Sequence, residues 1–437
     1  MEGNKLSQFQ IIMFTVLIII ILIAVALFAF KRIEDRALAI AVTMWGTVEP
    51  ELIAQIQIEL NDIKKNTLNI NYVQKKPETF EIDIIESLAS NNAPDIFLIP
   101  SDILLKQRNK FFLIPYKYYS QRDFKNNFLE SSEILLLRDG LHGLPFSVDP
   151  LIMYWNRGKL NSAGISAPPA FWDEFTDLIP KLTVKDPNLN IQDAGVAFGE
   201  FTNINNAKEI FLTLLMQAGN PIVSLNITQE NKEVYISSLG ERFGYTIRPA
   251  EAALNFYTQF SNANKNVYSW NRSLPNSDTM FLSNDLAFYF GFASEYKTFL
   301  QKNPNLNIDV ALMPQSQTGN FKTTLAKLNV LAISRSTKNF NKAFNAINIL
   351  SSGPAQSILA KYTQLPPVRR ELLSDQQNNS FIDIFYKSAI ISKTFLDPDS
   401  ISTTNIISDM IESYTSGRAT QAESVDRASQ QFINLLK

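Results

Sequence analysis

The apolar positions of this chain change period along its first hundred residues. The stretch ALAIAVTMWG (37–46) is nearly all apolar and closes on a glycine, the pattern of a buried strand. EPELIAQIQIELNDIKKN (49–66) follows, with Leu52, Ile53, Ile56, Leu60 and Ile63 at helical spacing and Pro50 in the first turn. LNINYVQ (68–74) reads as a second strand, PETFEIDIIESLASNNAP (77–94) as a second helix, and DIFLIP (95–100) as a third strand. This alternation predicts a parallel sheet covered by helices. Ligands of such sheets bind beyond the carboxyl ends of the strands. Those ends are Trp45-Gly46-Thr47 and Pro100-Ser101-Asp102.

In GLHGLPFSVDPLIMYWNRGKL (140–160), a polar turn at Ser147-Val148-Asp149-Pro150 interrupts two apolar runs. A core strand has no use for an acid there; a hinge or the rim of a binding site does. Beyond it, APPAFWDEFTDLIPKLT (167–183) predicts a loop entering an amphipathic helix. AGVAFGEF (194–201) predicts a strand, and AKEIFLTLLMQAGNP (207–221) a helix stopped by Gly219-Asn220-Pro221. LNIDVALMPQ (306–315) and KLNVLAISRSTKN (327–339) read as strands, and two helices flank Ser416-Gly417-Arg418 near the end.

Residues 11–30 are apolar except for Thr15. At about 1.5 Å per residue such a helix covers the ~30 Å of bilayer hydrocarbon, and it exceeds the apolar run of about 7–15 residues in a signal peptide. The expectation is a short tail (1–10), an uncleaved transmembrane signal-anchor (11–30) and a juxtamembrane linker (31–37), although Ala24-x-Ala26 and Ala37-x-Ala39 leave cleavage open. Lys5 precedes the span and Lys31, Arg32 and Arg36 follow it, a count that by itself favours a cytoplasmic domain.

Composition removes several classes of function. A formal net charge of -2 argues against nucleic acid as a partner. Without cysteine there is no disulfide, thiol nucleophile or lipidated cysteine. With a single histidine, His142, a zinc site is not expected, and nothing in the sequence calls for a metal or cofactor. His142, in DGLHGLP, is read as an exposed turn residue.

Four segments, in order, resemble the family 1 extracellular solute-binding proteins of ABC importers, the maltose-binding-protein-like group. They are NNAPDIFLIPSD, GLHGLPFSVDPLIMYWNRGKLNSAGISAPPAFWDEF, LAFYFGFASEY followed by VALMPQ, and TSGRATQAESVDRASQQFINLL. The resemblance spans nearly all of residues 38–437. It implies an α/β, two-lobed periplasmic-binding-protein-like fold (type II), here behind an N-terminal transmembrane helix, with solute held between the lobes. The implied first lobe is 38–147 plus about 315–350, and the second about 150–310 plus 351–437. Hinges are expected near 146–149, 310–315 and 351–354. The resemblance also implies export of the large domain, delivery of the solute to an ABC permease and no enzymatic activity.

Carboxylates suit the hydroxyls of a sugar, and flat aromatics its apolar face. Asp102 and Asp149 match sugar-binding acid positions of the resembled family, and Gly291 and Phe292 match its second-lobe ligand loop. Trp45, Thr47, Ser101, Ser147, Trp270, Lys327 and Asn329 complete the expected ligand-binding set. Asp102 also fits a helix N-cap and Asp149 a turn former; Trp45, Trp270 and Phe292 fit a core equally well, and Trp155 and Trp172 fit a core better. There are two departures: no tryptophan precedes the terminal Ser-Gly-Arg, which leaves the ligand open, and no lipid-modified cysteine is present, so the apolar span would serve as the tether. Two other readings compete: a tethered glycoside hydrolase using Asp102 and Asp149 as its carboxyl pair, and a solute receptor for signalling.

Overall fold

The computed structural model describes residues 13–14, 17–25, 40–64, 68–228, 230, 232–317, 319, 322–374 and 379–437. The expected tail and linker lie outside the described residues, as does part of the expected span. Residues 13–14 and 17–25 are helical with exposed side chains. Among the described residues no helix is long and apolar enough to cross a membrane.

The first strands and helices follow the predicted alternation: β1 (Ile40–Gly46), α1 (Pro50–Lys64), β2 (Leu68–Gln74), α2 (Phe80–Ala89) and β3 (Ile96–Pro100). β1 pairs in parallel with both β2 and β3. Val42 and Met44 turn into the core, while Thr43 and Trp45 point to the opposite, half-buried face. All five side chains of β3 except Pro100 are buried, as expected for a strand covered on both sides.

One long strand then joins the two halves of the molecule. β4 (Leu144–Asn156) has 13 residues, roughly 43 Å at about 3.3 Å per residue. Later strands are β5 (Ile191–Val196), β6 (Leu286–Phe292), β7 (Ile308–Ala311) and β8 (Thr324–Ile333). β8 lies between β3 and β4 and is antiparallel to both. Beyond Pro150, β4 pairs antiparallel with β6 and β7, and β6 pairs in parallel with β5. The sheet is continuous, but the hydrophobic core beneath it is not.

Two cores are present. The first runs from Val42 to Val148 and resumes at Ala326; the second includes Leu151 to Leu325 and resumes at Phe385. The second is dense in aromatics: Phe290 packs 5.0 Å from Phe198 and 5.5 Å from Trp172, centroid to centroid. Trp155 and Trp172 are buried in it. These cores define two α/β lobes.

The cores change over at Val148/Leu151, within two residues of the expected first crossing. The other two changeovers lie later than expected. Val310 and Met313 belong to the second core together with Leu325. Gln315 keeps its loop in that lobe: its side-chain amide donates to the Met313 carbonyl and accepts from the Thr323 backbone N–H. The chain therefore returns to the first lobe between Leu325 and Ala326. The Ser351–Pro354 break, expected as a third crossing, links two helices of one lobe, α3 (Phe340–Leu350) and α4 (Gly353–Thr363). Ser351 Oγ donates to the Pro145 carbonyl at 2.9 Å and Gln356 Nε2 to that of Phe146 at 2.8 Å. Ile358, Leu359, Val368 and Leu373 remain in the first core. The third crossing follows α5 (Ser380–Ile390), whose Ala389 packs in the first core and Phe385 in the second. Glycine, serine and proline mark a chain break equally well inside a lobe and between lobes, which is why the pattern misled.

His142 is another correction. It is 7% exposed, with its backbone N–H bonded to the Leu135 carbonyl at 3.0 Å. The short strand Gly140–Leu141, paired with Ile114–Pro115, pulls the turn inward.

Candidate functional site

The two lobes meet where β4 and β8 run side by side. Asp149 lies opposite Lys327 and Ser147 opposite Asn329, with a register shift just beyond, between Asn329 and Val330. Pro100, the last residue of β3, pairs with Asn329. The chain therefore turns at Ser101 and Asp102 directly beside this crossing. From the second lobe, the helix Ala207–Gln217 contributes Lys208, Glu209 and Leu212. The segment after the third crossing contributes Thr394, Phe395 and Asp397. These residues line a cleft of about 180 Å³.

Its charged groups are unevenly satisfied. Asp397, 2% exposed, accepts a hydrogen bond from Thr403 at 2.6 Å and from the Lys208 ammonium at 3.2 Å. Burial raises its carboxyl above the usual range, opposed by Lys208 and reinforced by the negative charge of Asp102. Asp149 Oδ1 accepts from the Ser294 backbone N–H at 3.0 Å. Burial pushes that carboxyl up to about 6, against the pull of Ser294 and Lys327. The Lys327 ammonium lies 3.9 Å from the centre of the Phe292 ring. Asp102 Oδ1 is buried with no hydrogen-bond partner in the protein. An ion pair from Lys106 to Asp399, 2.7 Å, ties the first lobe to the second, and the same ammonium reaches Glu81 at 2.9 Å.

The structure brings Ser101, Asp102, Asp149, Lys327 and Asn329 to the cleft. Ser147 stands beside it, its hydroxyl accepting from Asn329 Nδ2 at 2.9 Å, and Phe292 lies under Lys327. The other expected residues are elsewhere. Trp270 is fully buried in the second core, with its indole N–H donating to Asn203 Oδ1 at 3.1 Å; its loop is folded inward by the Ser269 and Trp270 N–H groups, which donate to the Phe260 carbonyl. Gly291 is a packing glycine in β6: a Cβ there would come within 2.5 Å of the Tyr289 ring and 2.9 Å of the Glu295 carboxylate. Trp45 packs edge-on against Phe97 at 6.2 Å, with Lys75 over its ring at 3.8 Å, and neither it nor Thr47 lines the cleft. Lys208, Glu209, Phe395 and Asp397 escaped the sequence reading. DPDS (397–400) did carry a helix-start signal, and Asp399 caps Ser402 as that signal predicts; nothing in it marks Asp397 as a cleft residue.

A polyhydroxylated solute could use the unpaired Asp102 oxygen as an acceptor and Lys208 and Lys327 as donors, with Phe395 as an apolar wall. Among the described residues no group of three or more His, Asp or Glu could hold a metal ion.

Two α/β lobes, threaded by crossing strands and meeting at a polar cleft, define a solute receptor of the two-lobed binding-protein class. Residues 62–380 match the model of the bacterial extracellular solute-binding protein family, and the chain belongs to that family. Solved structures agree on the fold. The sugar-binding protein MalE of Xanthomonas citri is 17% identical and superposes with a TM-score of 0.72 over 91% of this chain and 97% of that one. The cyclic α-maltosyl-1,6-maltose-binding protein of Arthrobacter globiformis is 13% identical, with a TM-score of 0.72 over 91% and 99%. A solute-binding protein of an ABC transporter from Thermotoga lettingae, bound to α-D-tagatose, is 18% identical, with a TM-score of 0.63 over 91% and 100%. No curated protein sequence matches the chain.

Proposed function

We propose that the protein is a membrane-tethered, extracytoplasmic receptor that captures a small carbohydrate in the cleft and delivers it to an ABC permease. The observation that carries this reading is the Asp102 carboxylate oxygen, buried without a partner on a residue that lines the cleft, across from the Lys208–Asp397 pair. Leaving a buried acceptor unmet costs about 1–3 kcal/mol; a sugar hydroxyl removes that cost. Structural neighbours that hold maltotetraose and α-D-tagatose support the ligand class.

The cleft is small beside ordinary ligand sites of roughly 300–1,000 Å³. Entry therefore requires the lobes to part, with rotation concentrated at the three crossings. Going from mostly open to mostly closed asks for about 5.5 kcal/mol of preference for the closed state. A few hydrogen bonds to both lobes are of that order. The apolar segment 11–30 would keep the receptor beside its permease and raise its effective concentration there.

A thermal-shift screen of monosaccharides, oligosaccharides, polyols and amino acids tests the binding claim, since a bound ligand raises the melting temperature. Stabilisation by amino acids alone, and by no sugar, would overturn it. Protease treatment of intact cells tests the topology: digestion is expected without lysis, and protection would put the domain inside.

A further inference from the structure

A second concavity, about 600 Å³, also lies between the lobes and shares no lining residue with the cleft. Its first-lobe wall carries Arg108, Arg335 and His142; its second-lobe wall carries Glu233 and Tyr235 from the hairpin of Val223–Ile227 with Glu233–Ser237. Arg335 follows the far end of β8, whereas the cleft uses the start of that strand. Eight residues of extended chain separate Arg335 from Lys327, roughly 26 Å. The hairpin touches the first lobe directly: Arg138 N–H donates to Glu233 Oε1 at 2.6 Å, and the Arg108 guanidinium lies 5.7 Å from the Tyr235 ring centre.

Neither Arg108 nor Arg335 forms an ion pair among the described residues. Apart from the Arg108–Tyr235 contact, their guanidinium groups donate to backbone carbonyls, those of Leu105 at 2.9 Å and Asn109 at 3.1 Å. His142, more than nine-tenths buried, presents Nε2 with no hydrogen-bond partner. Two unpaired cations and an unmet imidazole nitrogen thus share one cavity. Phe111, Phe112, Leu113 and Val234 give the cavity an apolar face, and Asn109 and Lys437 also line it.

We propose that this cavity is a second ligand site, one that takes a small organic carboxylate: the carboxylate on Arg108, Arg335 and His142 Nε2–H, and the apolar body against Phe112 and Tyr235. Guanidinium groups match a carboxylate in charge and in geometry. Burial and the Arg108 charge hold His142 neutral, depressed to about 4, so it serves as a donor without adding charge. An occupant would touch both lobes, and so would bias the arrangement in which the first-lobe wall and the hairpin meet.

The chain has one histidine, so its imidazole NMR signals report this cavity alone. Full-length protein in detergent would be titrated with benzoate and, separately, with inorganic phosphate; no sugar is needed, so the outcome is independent of the cleft reading. Benzoate is expected to shift the His142 signals saturably and to raise its pKa, since Arg108, Arg335, Lys437, Glu233 and Tyr235 then face it together with an added negative charge. Calorimetry should show Arg335→Gln and Arg108→Gln each weakening benzoate about tenfold, the scale of one charge-assisted hydrogen bond. Arg335 is exposed, so its variant is expected to melt as the parent does. Phosphate binding as tightly as benzoate would remove the organic body from the proposal. No His142 response to either anion, or undiminished benzoate affinity in both variants, would overturn the site.

Discussion

The cleft and the outer cavity are both built where the lobes meet, yet they carry opposite charge. Asp102, Asp149, Glu209 and Asp397 give the cleft its acids, balanced in part by Lys208 and Lys327. The outer cavity sets Arg108, Arg335 and Lys437 against Glu233, whose carboxylate already accepts from the Arg138 N–H. Burial acts on both in one direction, toward the uncharged form: it pushes Asp149 up and His142 down. The contrast shows how one interface between two lobes can offer two chemically distinct openings. Carboxylates that retain an open lone pair suit hydroxyl donors; unpaired guanidinium groups suit an anion.

The largest test removes the best-buried pair of the cleft. Asp397→Ala would leave the Lys208 ammonium, with an 11% exposed side chain, without its carboxylate. Breaking such a pair costs about 3–5 kcal/mol, read as a loss of unfolding free energy in urea. A change within experimental error would show that Lys208 escapes to solvent and that the second-lobe wall is not rigid. Next in size, Asp149→Ala should weaken the cleft ligand by on the order of 2 kcal/mol if that carboxylate accepts a ligand hydroxyl. Unchanged affinity would confine Asp149 to its bond with Ser294.

Stability against pH compares the two openings directly. Asp149 moves from its ordinary 3.8 to about 6 on folding. The folded chain then holds more protons than the unfolded chain across that window, so Asp149 makes stability fall as pH rises through it. His142 moves from 6.5 to about 4. Here the unfolded chain holds more protons, so the contribution is present above about 6.5 and lost as pH falls toward about 4. Asp149→Asn should therefore steepen the rise of stability with pH between about 4 and 6, and His142→Gln should flatten it. Urea denaturation at several pH values decides, and shifts of the same sign for both variants would contradict the comparison. The smallest effect belongs to Lys106→Met. That side chain is 38% exposed, and its tie to Asp399 is worth about 0.2–1 kcal/mol. It should change solute dissociation slightly and the melting temperature little.

Much of the first lobe was legible in the sequence, because each of its early elements has its own periodicity and its own stop signal. β1 through β3 and the two helices between them needed only local pattern. The first-lobe half of the cleft followed, since strand ends and the polar break at 147–150 are visible locally. The second-lobe half was hidden for a physical reason. Lys208 and Asp397 are 189 positions apart and meet only through the packing of the second lobe. For Trp270, which fits a site and a core equally well by sequence, a single bond to Asn203 allows the whole indole to be buried. His142 was misplaced, drawn under by a two-residue strand too short to announce itself.

The position of β8 has a consequence for how the molecule is made. It fills the gap between β3 and β4, yet it begins at Thr324, long after both neighbours have left the ribosome. Until then the first half of the protein holds two raw strand borders with nothing between them, and apolar Ile96–Ile99 has no neighbour on that side. Such borders invite pairing with other chains. From Asn156 to Thr324 the nascent chain stays unfinished for about 170 further residues, with both borders open.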